Sequence, residues 1–87
     1  MDFLLPAHRL VLELKLVRDR QHGRKIGDEL IIDIEHYRRH PACEILWCIV
    51  YDPGNFLPNA AGLAGDLEGE RSTPDGKVHV RVLVVTL

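Results

Sequence analysis

Two carboxylates and an ammonium stand out in the apolar start of this sequence: Asp2 in "DFLL", and Glu13 and Lys15 in "LVLELKLV". Charges set among so many leucines are costly to bury without partners, so their spacing matters. Glu13 and Lys15 are two residues apart, so on a strand they share a face at a separation of about 7 Å. Asp2 joins them if the segments on either side of "PAHR" form a hairpin. Pairing Leu5 with Leu10 and Phe3 with Leu12 sets Asp2 directly opposite Glu13, with Cβ atoms about 4.5–5.5 Å apart. Two like charges at that distance repel unless a cation lies between them. Two hard oxygen ligands with open positions suit Mg²⁺ (or Mn²⁺), which keeps waters and takes phosphate oxygens. A nearby ammonium can orient an attacking water, help to activate it, or stabilise charge that develops on phosphorus.

The elements that would position these groups follow from periodicity. Residues 1–5 and 10–17 read as strands. In the second, Leu10, Leu12, Leu14 and Leu16 share one face, and Val11, Glu13, Lys15 and Val17 the other. Phe3 and Leu5 then match the leucine face, a fit that a one-residue slip would destroy. "RDRQHGRK", residues 18–25, is polar and turn-like. "IGDELIIDIEHYRRHP" reads as a helix with Ile26, Leu30, Ile34 and Tyr37 on one stripe and Ile31 beside it, stopped by Pro41. Glu29, Asp33 and His36 fall on one side of that stripe. "CEILWCIVY" is apolar except for Glu44, which predicts a strand buried on both faces with Trp47 and Tyr51 in the core. "DPGN" at 52–55 predicts a type II turn, with Asp52 as a turn residue. Residues 59–69 read as a short helix, "RSTPDG" as a loop, and 77–85 as a closing strand with Val78, Val80, Val82 and Val84 on one face. The order hairpin, helix, strand, helix, strand implies an α/β domain: a mixed β-sheet flanked by helices.

The 87 residues make a single small domain, with 46 % hydrophobic and 28 % charged residues. A formal net charge of −2 argues against a broadly cationic nucleic-acid binder. It is compatible with a local strip, Arg18, Arg20, Arg24 and Lys25, that grips phosphate. No apolar run approaches the ~20 residues of a membrane span, and the N-terminus carries Asp2 rather than a basic segment. Cys43 and Cys48 lack a CxxC spacing and are expected to be reduced core thiols in a cytoplasmic protein. The five histidines show no zinc spacing with them. Residues 2–5 form an apolar strand edge, and a domain this small gains from covering such an edge, so a homodimer is expected.

An Asp on one strand and Glu-x-Lys on its hairpin partner resemble the core of the PD-(D/E)xK nuclease superfamily, and more closely its branch related to type II restriction endonucleases. The matching residues are Asp2 and Glu13-Leu14-Lys15. "GDELIIDIEHYRRHP", "CEILWCIVYDP" and "LAGDLEG" follow in the order that branch shows. The resemblance implies a metal-dependent phosphodiesterase acting on DNA. Asp2 and Glu13 would bind Mg²⁺, the Leu14 carbonyl would complete the metal ligands, and Lys15 would serve the water. Glu29 stands where related sequences often carry Gln, beside the metal site. The family core begins with a helix and a further strand, whereas this chain begins at the Asp strand. The expected domain, residues 1–87, is therefore a restriction-endonuclease-like core lacking its first helix and strand. Two other readings are a non-catalytic domain of the same fold, serving dimerisation or nucleic-acid docking, and a small α/β protein whose triad matches by chance.

Overall fold

The computed structural model describes residues 2–40, 43–74 and 76–86. Strand β1 (Asp2–Leu5) leads through a 3₁₀ turn at Pro6–His8 into β2 (Leu10–Leu16). Then follow α1 (Arg20–Arg38), β3 (Ile45–Tyr51), α2 (Ala60–Leu67), β4 (Gly69–Thr73) and β5 (Gly76–Val85). The five strands form one mixed sheet in the order β1-β2-β3-β5-β4. β2, β3 and β5 run parallel, and β1 and β4 pair antiparallel at the two edges. The hairpin has the expected register: Asp2 opposes Glu13, Phe3 opposes Leu12 and Leu5 opposes Leu10.

Helix α1 begins earlier than its apolar stripe suggests. The segment 18–25, expected to be a turn, supplies its first turns from Arg20 onward. Asp19 caps it: its Oδ1 accepts the His22 N–H at 2.7 Å, which satisfies an otherwise orphaned helix donor. Gly23 lets this end approach the 55–58 loop, since a Cβ there would come within 2.9 Å of the Phe56 carbonyl oxygen. Met1 of the first expected strand and the expected helix stop at Pro41 lie outside the described residues.

Three further expectations are corrected. "RSTPDG" is not wholly loop, because Gly69–Thr73 forms β4. Its sequence is polar because it is a largely exposed edge strand, and it lacks the alternation of a half-buried one. The 52–55 turn is closed by Asn55 N–H donating to the Asp52 carbonyl at 3.2 Å. The positive φ sits at Asn55 (54°), not at Gly54 as a type II turn requires. Asp52 is a turn residue as expected: fully buried, its carboxylate accepts the Phe56 and Leu57 N–H groups, both at 2.9 Å.

The third correction concerns the faces of the sheet. Both helices pack on one face. Ile26, Leu30 and Ile34 of α1 and Leu67 of α2 meet Val11, Leu46, Cys48, Val50, Val78, Val80 and Val82 there. β3 is therefore not buried on both faces. Trp47 (45 % exposed) and Tyr51 lie outside the core, on an apolar face with Phe3, Leu5, Leu14, Leu16 and Leu83 that no described element covers. Glu13 and Lys15 lie on the helix-covered face, so the leucine face is the open one. Cys43 and Cys48 are both buried and free. No described helix is long and apolar enough to cross a membrane.

Candidate active site

The hairpin register and the helix-covered face together bring four acids around one lysine. Asp2 and Glu13 are cross-strand neighbours, and Glu13 is only 4 % exposed. Glu13 Oε1 lies 3.6 Å from Lys15 Nζ. From α1, Glu29 Oε1 approaches the same ammonium to 3.3 Å and Asp33 Oδ2 to 2.8 Å. Glu29 and Asp33 are one helical turn apart, and both reach Lys15 because α1 lies across this face. The Tyr37 hydroxyl donates to Asp2 Oδ2 and ties the edge strand to α1.

The electrostatics follow from this crowding. Burial, the hydrogen bond with Asp2 and the charges of Asp33 and Asp2 push the Glu13 carboxyl up to about 8. The hydrogen bond with Glu13 lowers Asp2, against its partial burial, and the Tyr37 hydroxyl assists. At neutral pH the pair therefore shares one proton, held on Glu13 and donated to Asp2. For Lys15, burial works against the charge, but the hydrogen bond to and charge of Asp33, with Glu29 and Glu13, outweigh it and raise the group to about 12. Burial and the Asp2 contact raise the Tyr37 hydroxyl. Glu13 Oε2 is buried and meets no donor, so it is left to a proton shared with Asp2 or to a cation. That orphan oxygen beside a second carboxylate fits a hard divalent ion. Among the described residues no group of three or more His, Cys, Asp or Glu side chains is placed to hold a metal.

Asp2, Glu13, Lys15 and Glu29 come together as the sequence predicts. The four residues of the basic strip are divided between two depressions. Arg18 and Lys25 line the open cleft of about 1010 Å³ that also holds Glu13, Lys15 and Glu29. Arg20 and Arg24 line a separate cavity with Phe56 and Leu57. Asp33, on the same side of the stripe as Glu29, is a principal partner of Lys15, whereas His36, also on that side, lines a different depression with Arg39 and His40. Tyr37, read only as part of an apolar stripe, is the partner of Asp2. Its signal was the one hydroxyl on that stripe, since a phenol packed with its ring against the core seeks an acceptor for its O–H.

No curated protein and no solved structure matches the chain. A family model does: DpnII-MboI, described as REase_DpnII-MboI, matches residues 1–85. Restriction endonucleases hydrolyse DNA. With its Asp2, Glu13 and Lys15 brought together beneath α1 inside a match that spans nearly the whole sequence, this chain belongs to the DpnII-MboI family of restriction endonucleases.

Proposed function

We propose that this chain is the catalytic core of an Mg²⁺-dependent endonuclease that hydrolyses DNA phosphodiester bonds in restriction or phage defence. The observation that carries the reading is the Lys15 ammonium, fixed by Glu13, Glu29 and Asp33 beside the Asp2–Glu13 pair. Asp2, Glu13 and the Leu14 carbonyl would hold Mg²⁺ (or Mn²⁺). A divalent ion held there would supply Lewis-acid polarisation of a phosphate oxygen and a lowered pKa for a water bound to it. Lys15, raised to about 12, stays charged at neutral pH and is not the base that takes the water's proton. Its ammonium instead orients the water and offsets negative charge gathering on the phosphorus oxygens. Glu29 and Asp33 keep it aimed, and Tyr37 keeps Asp2 against Glu13. A purely structural docking domain is the weaker reading. Four carboxylates around one lysine on a covered face carry a desolvation cost that an apolar set of the same volume would avoid.

The test is cleavage of duplex DNA in Mn²⁺ and in Mg²⁺. Metal-dependent nicking that disappears in Asp2→Asn supports the reading; none at any metal concentration overturns it. The split of the basic strip predicts a second result. Arg18→Ala with Lys25→Ala should weaken DNA binding and reduce the slope of log K against log salt by roughly 2, one per lost phosphate contact. Arg20→Ala with Arg24→Ala should change that slope by less than half as much. Equal effects of the two pairs would show that the cleft does not set the DNA path.

A homodimer belongs to the same proposal. The apolar edge β1 and the open face around Trp47 are the surfaces that a second copy would cover. Sedimentation at micromolar concentration checks it, and a single monomeric species up to 100 µM (roughly ten times the Kd of a weak dimer) counts against it.

A further inference from the structure

His22 lies in the first turns of α1 and lines the catalytic cleft. Both its ring nitrogens are engaged. Nδ1 lies 3.3 Å from the backbone nitrogen of Arg18, and Nε2 lies 3.2 Å from Glu29 Oε2. A backbone N–H can only donate, so Nδ1 is the bare acceptor and Nε2 carries the hydrogen, which it gives to Glu29. The other Glu29 oxygen, Oε1, accepts from Lys15 Nζ at 3.3 Å. A single carboxylate thus joins two donors and needs both of its oxygens as acceptors. A glutamine at position 29 could not do this, because its amide offers one acceptor and one donor group. Whichever way the amide turned, an N–H would face either the ammonium or the imidazole N–H.

We propose that His22 is a positioning residue for Lys15, acting through Glu29. The chain from the Arg18 N–H through the imidazole to Glu29 fixes one of the carboxylates that aim the ammonium. Arg18 follows Lys15 by three residues just beyond β2, so this chain closes a loop from the strand that bears the lysine, across α1, and back to the lysine. The chain also explains why an acid rather than an amide suits position 29: the tautomer of His22 is set by a backbone donor, and the N–H that it presents demands an acceptor. Asp33 holds Lys15 independently at 2.8 Å, so loss of His22 loosens the ammonium without releasing it. The inference rests on the nuclease reading of the cleft for its kinetic consequence only.

The test has two arms. A long-range ¹H–¹⁵N spectrum reads the His22 tautomer without any activity. The Nε2–H form is expected, and the Nδ1–H form would overturn the proposal. In the second arm, His22→Ala should lower kcat for Mn²⁺-dependent cleavage by roughly tenfold, in line with loss of an outer partner, with KM and melting temperature unmoved. His22→Gln, whose amide can still donate to Glu29, should recover most of that loss. In a Glu29→Ala background, His22→Ala should have no further effect. Unchanged kcat in His22→Ala, or losses that multiply in the double variant, would refute the role. If the wild-type chain cleaves no DNA, the nuclease reading fails, and the tautomer arm still decides this one.

Discussion

Glu13→Gln is expected to remove DNA cleavage and, at the same time, to raise the melting temperature at pH 8 in the presence of chelator. The second effect follows from linkage. In the fold the Glu13 carboxyl is pushed up to about 8 from an ordinary value of 4.5, first by burial and then by Asp2 and Asp33. Between those values the native state binds a proton that the unfolded chain has released. Stability is therefore greatest below pH 4.5 as far as Glu13 is concerned, and it falls as pH rises through 8. Asp2 shifts the other way, and its contribution is lost only as pH falls below its ordinary value of 3.8, outside this window. The loss in wild-type protein is on the order of a few kcal/mol between pH 5 and pH 8.5, at about 1.4 kcal/mol per unit of pKa before allowance for coupling. In a domain of this size that lowers the melting temperature by roughly 5–15 °C. Glutamine imitates the protonated acid, so the variant should show a nearly flat profile. Mg²⁺ competes with the proton and should stabilise the wild type more at pH 8 than at pH 5.5, and the variant at neither. Thermal melts at the two pH values, with and without Mg²⁺, check all of this. Parallel pH profiles for wild type and variant would show that Glu13 is ionised without strain.

The hairpin register was legible because six apolar side chains, Phe3, Leu5 and the four leucines, must share a face, and the period of two then forces Asp2 opposite Glu13. Which face would be covered was not legible. The leucine face is the more apolar and reads as core, yet α1 lies on the other. The reason is in α1 itself. The stripe that carries Ile26, Leu30 and Ile34 also brings Glu29, Asp33 and Tyr37 to the sheet. Those groups need polar partners, and only the strand face with Lys15, Glu13 and Asp2 supplies them. An amphipathicity argument that scores polar residues as outward-facing misses this. The start of α1 was hidden for a related reason. Residues 20–25 offer only Gly23 to the core, so no hydrophobic period marks them. The Asp19 cap was the available signal. β4 escaped notice because an exposed edge strand has no apolar face to alternate.

Lys15→Met should be the most damaging single change to both stability and activity. The ammonium pairs with Glu29 and Asp33 and lies 3.6 Å from the protonated Glu13, and its side chain is 15 % exposed. Without it, the acids crowd one covered face with no cation among them. Removal of one member from a largely buried ionic group costs on the order of 3–5 kcal/mol, because the remaining charges stay desolvated. That is a large part of the stability of a domain this small, so a fall of roughly 15–25 °C in melting temperature is expected at pH 7.5. Mg²⁺ at millimolar concentration should reverse part of it, because it can replace the missing positive charge. Cleavage should fall by about 10³-fold or more, the combined scale of losing an oriented water and a charge-stabilising donor. Lys15→Arg separates the two roles. Its guanidinium keeps the positive charge, so the melting temperature should return to within a few degrees of wild type. Its planar, broader head cannot place a compact ammonium at the same point between three acids, so cleavage should remain down by about 10²-fold or more. A Lys15→Met protein as stable as wild type in chelator would mean that the acids do not depend on the lysine. Full activity in Lys15→Arg would mean that charge alone, and not the position that Glu29 and Asp33 enforce, is what this residue supplies.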